Sequence, residues 1–162
     1  MRLVTDVDCS AWEPTVRATL LFVVVDGRVL LIHKQRGIGA GLINGPGGKI
    51  DAGETALEAA MRETHEEVGI VATGVREAGE MRFEFVRGMR MHVTIFRADG
   101  HEGEPVATDE AIPEWFPVAA VPFERMWADD ELWFPHLLAR ERFTGWCTFD
   151  GERLLDARIV AG

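Results

Sequence analysis

The chain has 162 residues, 47% hydrophobic and 27% charged, which suits one globular domain burying about 70% of its unfolded surface. A net charge of −10 argues against duplex DNA or RNA as a bulk partner, because such binders carry a basic footprint. No run of about 18 apolar residues exists to span a membrane. In chain order, residues 17–33 read as a hairpin, ATLLFVVV before and Arg28–His33 after a turn at Asp26-Gly27. Residues 34–48 form a loop, with six glycines between 37 and 48. A helix follows, opened by the capping box Thr55-Ala56-Leu57-Glu58 and ended by a left-handed Gly69. Its inward stripe is predicted to be Leu57, Ala60, Met61, Thr64 and Val68, with the acidic face outward. Strands 81–86 and 90–97 are expected to pair around Arg87-Gly88, and 114–118 reads as a short strand. Residues 129–142 look helical, although Pro135 is tolerable only near a first turn. A last hairpin joins 143–149 to 153–159 across Asp150-Gly151.

No repeat or linker interrupts this order, so residues 1–162 are read as one domain, with 1–14 as an extension of undetermined role. The start, MRLVTDVDCSAWEP, lacks the apolar core of a signal peptide. Cys9 and Cys147 have no ligand spacing and read as reduced thiols, so a cytoplasmic location is expected. The five histidines are scattered, and none has a partner at ligand spacing. Mixed strands flanked by two helices predict an α/β/α sandwich.

The densest chemistry lies at Glu63, Glu66 and Glu67, which share one helical face at i, i+3 and i+4. Like charges at that spacing weaken a helix by a few tenths of a kcal/mol per pair, roughly, unless a cation joins them. Hard divalent ions such as Mg²⁺ take carboxylate oxygens beside substrate phosphates. The surrounding pattern is G-x5-E-x7-R-E-U-x-E-E-x-G-U, filled by Gly48, Glu54, Arg62, Glu63, Thr64, Glu66, Glu67, Gly69 and Ile70. Seven specified residues at about 7% each meet by chance roughly once in 10⁸ positions. In this pattern the chain resembles the Nudix hydrolases, with Thr64 where an aliphatic residue is usual. Arg62 can orient neighbouring carboxylates by charge-assisted bonds, and Glu54, ahead of the helix, reads as a brace for the loop.

The resemblance narrows to the oxidised purine nucleoside triphosphate hydrolases, which act on 8-oxo-dGTP and its kin. It runs through Lys34–Gly41, Asn44–Lys49, Phe83–Val86, Phe123–Asp130, Trp133–Pro135 and Phe143–Gly145. It implies the Nudix α/β/α sandwich and a Mg²⁺-dependent reaction (Mn²⁺ as an alternative) that releases nucleoside monophosphate and pyrophosphate. The implied metal ligands are Glu63, Glu66 and Glu67, with the Gly47 carbonyl and Glu110. The implied substrate pocket is Thr19, Lys34, Asn44, Gly47, Gly48, Lys49, Phe83, Trp127, Asp129 and Asp130. Phe83 and Trp127 would stack on the base, which holds any base but selects none. Selection would fall to Asn44 and to Asp129 and Asp130, where a proton kept on one carboxyl makes a donor beside an acceptor. By itself, Asp129-Asp130 also reads as a helix N-cap. Ile38, Ile43 and Pro46 stand where the mammalian-type enzymes have rings, which leaves another damaged purine triphosphate open as substrate. A different diphosphate-linked substrate, or a non-catalytic nucleotide-sensing domain, is the alternative. The expected partner is a small nucleotide, taken up by a monomer.

Overall fold

A computed structural model describes residues 12–162. The thiol expected at Cys9 and residues 1–11 of the expected extension lie outside the described residues, while Cys147 is a free, buried thiol. Strand β1 (Val16–Val25) crosses the middle of the molecule. Its run LLFVVV is apolar at every position because both faces are covered. Leu21 and Val23 enter one core and Phe22 the other, and all three are fully buried.

The other strands follow as β2 (Arg28–Lys34), β3 (Ile43–Asn44) and β4 (Gly47–Lys49). After helix α1 (Ala56–Val68) come β5 (Val71–Thr73), β6 (Arg76–Phe85), β7 (Arg90–Ala98), β8 (Gly100–Glu102) and β9 (Ala111–Pro117). Helix α2 (Asp130–Leu138) precedes β10 (Phe143–Asp150) and β11 (Arg153–Ala161). The main sheet runs β11-β10-β6-β7-β1-β2-β3, with β4 on β1 and β9 on β2; β5 and β8 form a second, two-stranded sheet. Pairs β1–β7 and β6–β10 are parallel and the rest of the main sheet is antiparallel, so the sheet is mixed. Helix α1 packs Ala60 and Val68 against Leu21, Val23 and Ile32 on one face. Helix α2 packs Trp133, Phe134 and Leu137 against Phe22, Met81 and Phe143 on the other. The α/β/α sandwich is the architecture observed.

Several local expectations need correcting. The 17–33 hairpin pairs only at its tip, Val24 with Val29 and Val25 with Arg28. The first half of β1 bonds instead to β4 and β7. Glycine makes the β4 approach possible, since a Cβ on Gly47 would sit 1.9 Å from the Thr19 carbonyl oxygen. Helix α1 turns Ala60, Met61, Thr64 and Val68 inward as expected, but Leu57 is 45% exposed and Ala59 and Glu67 are buried in addition. Beside the bare glycine strand, the helix can roll its acidic edge toward the sheet, so that face is not wholly outward. The Thr64 hydroxyl donates to the Ala60 carbonyl at 2.7 Å, which lets a polar residue fill the aliphatic position. Helix α2 ends at Leu138, short of residue 142, and Arg140 follows with φ +60°. Pro135 lies inside this helix rather than at its first turn. The carbonyl it leaves without a helical partner belongs to exposed Glu131, where water can serve. Strand β9 begins at Ala111 and β6 at Arg76, both earlier than expected.

Candidate active site

The capping box forms with both reciprocal bonds, Glu58 amide to Thr55 hydroxyl at 3.1 Å and Thr55 amide to Glu58 carboxylate at 2.9 Å. Gly69 closes the helix at φ +77°. Between these ends Arg62 organises the acidic residues. It donates to Glu54 at 2.7 and 2.9 Å, to Glu63 at 2.8 Å, to Glu66 at 3.3 Å and to the Lys49 carbonyl at 3.1 Å. The Arg62 bonds, with a further bond from the Asp51 amide, hold the Glu54 carboxyl down at about 2. Glu54 therefore braces the loop that carries β4.

Glu63, Glu67 and Glu110 can each place a carboxylate oxygen within 4.8 Å of the others. Two come from α1 and the third from the loop before β9. Glu66 is not one of the three and stands half in solvent on Arg62. Burial raises the Glu63 carboxyl, against the pull of Arg62. Burial, reinforced by Glu63 and Glu110, pushes Glu67 up to about 8, although the Gly47 amide donates to it at 3.3 Å. Three carboxylates this close repel unless a proton or a cation joins them. The all-oxygen donor set suits a hard divalent ion such as Mg²⁺ or Mn²⁺. Gly48 is part of the same packing, because a Cβ there would lie 2.5 Å from the Glu63 carboxyl carbon.

Glu67 also borders a cavity of about 350 Å³ in which all ten expected pocket residues meet. Thr19 comes from β1, Lys34 from the end of β2, Asn44 from β3, and Gly47, Gly48 and Lys49 from β4. Phe83 comes from β6, Trp127 from the segment before α2, and Asp129 and Asp130 from its start. Sequence reasoning missed much of the apolar lining, Phe85, Met91, Val93 and Phe149 among it. Phe149 lies 6.0 Å from Phe83 and 5.4 Å from Trp127, nearly perpendicular to the latter. The pairing of the two strands around Arg87-Gly88, which sets Phe83 opposite Met91, is the signal that could have found Met91. No local signal pointed to Phe149, which arrives through parallel pairing of β10 with β6. The glycine-rich loop closes over the indole, since a Cβ on Gly39 would lie 2.8 Å from Trp127 Nε1. Ile38 lines the cavity while 47% exposed, Ile43 is buried in the core, and the Pro46 carbonyl accepts from Leu21 in the β1 pairing.

The aspartates do not cap α2 with their side chains. Asp129 Oδ2 instead accepts from the Trp133 indole at 2.8 Å. Asp130 is 3% exposed, and its carboxyl is hydrogen-bonded to that of Asp129. Burial lifts Asp129 to about 6 against the pull of the Trp133 bond. Burial and the neighbouring Asp129 charge lift Asp130 well above the ordinary carboxylate range. The pair therefore holds a proton between its two carboxyls and presents a donor beside an acceptor.

Comparison with known proteins agrees with this geometry. Residues 14–137 match the family described as NUDIX domain. The chain is 49% identical over 138 residues to the oxidized purine nucleoside triphosphate hydrolase of Danio rerio, covering 85% of this chain and 88% of that protein. It is 42% identical over 135 residues to the protein of the same description in Mus musculus, covering 83% and 86%. Among solved structures it superposes on a mutator MutT protein from Bacillus halodurans with a TM-score of 0.80 and 32% identity, over 89% of this chain and 97% of that one.

Proposed function

The chain belongs to the Nudix hydrolase family, and we propose that it hydrolyses oxidised purine nucleoside triphosphates such as 8-oxo-dGTP to monophosphate and pyrophosphate. The observation that carries this reading is the Asp129–Asp130 pair. It sets one proton donor beside one acceptor among the rings of a cavity whose wall also reaches Lys34, Lys49 and Glu67. An oxidised purine edge exchanges a bare acceptor for a donor, and a mixed donor–acceptor pair answers such an edge. The relatives in Danio rerio and Mus musculus carry the same substrate class in their names.

The parts divide the work. Phe83 and Trp127 offer ring faces to the base, with Phe149 backing both. Asn44 adds a side-chain amide, although its Oδ1 already accepts from the Gly45 amide at 2.9 Å. Lys34 and Lys49 bring ammonium groups to the wall that phosphates would follow. Glu63, Glu67 and Glu110 would hold a divalent cation, Mg²⁺ or Mn²⁺, with Glu66 and the Gly47 carbonyl as further candidates. When bound, that cation supplies charge neutralisation on the phosphates and a more acidic water. Arg62 keeps Glu63 in place, and the raised Glu67 carboxyl, near 8 without a cation, would be driven to its ionised form by the bound ion. A free nucleotide needs neither a membrane nor a second subunit, and we read the protein as a cytoplasmic monomer guarding the nucleotide pool against DNA damage. No helix among the described residues is long and apolar enough to cross a membrane.

A panel of 8-oxo-dGTP, 2-hydroxy-dATP, dGTP and dATP with Mg²⁺ tests the reading. We expect the highest kcat/KM on an oxidised purine, with pyrophosphate and no orthophosphate as the direct product. Equal turnover of normal and oxidised nucleotides sinks the substrate assignment. Binding without product release moves the chain to the nucleotide-sensing alternative.

A further inference from the structure

The three converging glutamates come from two separate pieces of chain, and their alignment needs a cause. Glu63 and Glu67 are fixed by α1. Glu110 is exposed, lies on the long connection from β8 to β9, and is pushed away by two like charges. Left to itself, a flexible side chain on a loop moves outward, where both entropy and repulsion favour it.

One residue ties the two pieces together. The Thr108 hydroxyl donates to the backbone carbonyl of Glu67 at 2.7 Å. The same oxygen accepts from the backbone amide of Glu110 at 3.3 Å. A single hydroxyl thus joins the main chains of two residues whose carboxylates converge. Surrounding bonds hold the frame: the Val106 amide reaches the Val68 carbonyl at 2.9 Å, the Thr108 amide reaches Ala111 at 2.9 Å, and the Gln35 amide takes the Glu110 carbonyl at 2.9 Å. The Glu67 carbonyl is one of the last four of α1, which lack a partner within the helix. Helix termination alone would need only an acceptor's partner. The second bond, to Glu110, is what a mere cap would not require.

We propose that Thr108 is a positioning residue of the cation site, setting Glu110 against Glu67 through its bridging hydroxyl. This rests on the reading of the glutamates as a cation site, and its test uses no substrate. Mn²⁺ binding to the nucleotide-free protein, followed by electron paramagnetic resonance, is measured for wild type, Thr108→Val, Thr108→Ser, Glu110→Gln and Thr108→Val/Glu110→Gln. Losing a residue that orients a ligand weakens metal binding by about 10- to 100-fold, and that is the loss expected for Thr108→Val. Thr108→Ser keeps the hydroxyl and is expected to bind as wild type does. In the Glu110→Gln background the valine substitution is expected to add little, since the ligand it positions is already gone. Thr108→Ala replaces the valine variant if that one does not fold. Wild-type Mn²⁺ affinity in the folded Thr108→Val or Thr108→Ala protein overturns the proposal, whatever happens to Tm. A loss of equal size with and without Glu110 also overturns it. Failure to prefer oxidised purines leaves these binding measurements untouched, whereas a wild-type protein that takes no Mn²⁺ removes the cation reading and Thr108's role with it.

Discussion

Glu63, Glu67 and Glu110 arrive from two distant segments and meet where solvent still reaches, whereas Asp129 and Asp130 are chain neighbours closed in beneath Trp133. Burial is the leading cause of the raised carboxyls in both groups, Glu63 and Glu67 in one and both aspartates in the other. Their surroundings differ. Around Glu67 stand the Gly47 amide, the Lys34 charge and an exposed Glu110, a setting open to a cation. Around Asp130 there is an adjacent Asp129 carboxyl, bonded to it and of like charge, a setting that retains a proton. Under the proposed function, the same residue chemistry would serve metal binding in one place and base reading in the other, because an exposed Glu110 completes the first group and both members of the second are buried.

The largest effect should come from the open group. Glu67→Gln removes one carboxylate charge at near-constant volume. A cation site supplies several kcal/mol of transition-state stabilisation, so kcat should drop by about three orders of magnitude. Steady-state rates within a few-fold of wild type would break the assignment. The closed group should act on selectivity. Losing a buried hydrogen-bonded contact costs about 1–3 kcal/mol, so Asp129→Ala or Asp130→Ala should cut the preference for 8-oxo-dGTP over dGTP roughly 5- to 150-fold. Equal losses on both nucleotides would move selectivity elsewhere. Phe83→Ala sharpens the contrast: stacking tolerates any base, so kcat/KM should drop for both nucleotides by similar factors and their ratio should hold.

The smallest effect is on stability against pH. Raised acids favour the protonated folded state, so their contribution is complete below the unfolded pKa and is lost as pH rises through the folded one. For Asp129 that window runs from the ordinary 3.8 to about 6, and for Glu67 from 4.5 to about 8. Without metal, Tm should therefore fall across both windows. Saturating Mg²⁺ should remove the Glu67 contribution, most visibly between pH 6 and 8 where it stands alone, because cation binding favours the ionised glutamates, and should leave the Asp129 contribution in place. Thermal melts from pH 4 to 9 with and without Mg²⁺ decide this, and a uniform Mg²⁺ effect across the range would erase the distinction.

Local signals were the legible ones. The capping box, the Gly69 stop, the last hairpin and the Arg62 network each depend on residues close in sequence or on one motif. Family spacing also named ten residues that prove to line a single cavity. What stayed hidden depends on distant partners. The face α1 buries follows from the glycine strand beside it, so Leu57 was misplaced and the inward turn of Glu67 went unseen. Strands β3, β4, β5 and β8 are too short to show a period. Phe149 reaches the pocket only because β10 pairs in parallel with a strand some sixty residues earlier, roughly, a contact no window contains. Glu66 shares the helical face of its neighbours, yet Arg62 holds it at the rim.

The buried Asp129–Asp130 pair has a consequence for anyone engineering this protein. Two carboxyls held out of water cost folding free energy, and an apolar residue in place of one would relieve part of it. A screen that rewards heat resistance alone would therefore drift toward Asp130→Leu and discard the base discrimination proposed for the pair. Libraries aimed at a hardier enzyme need an activity gate on the damaged nucleotide in every round.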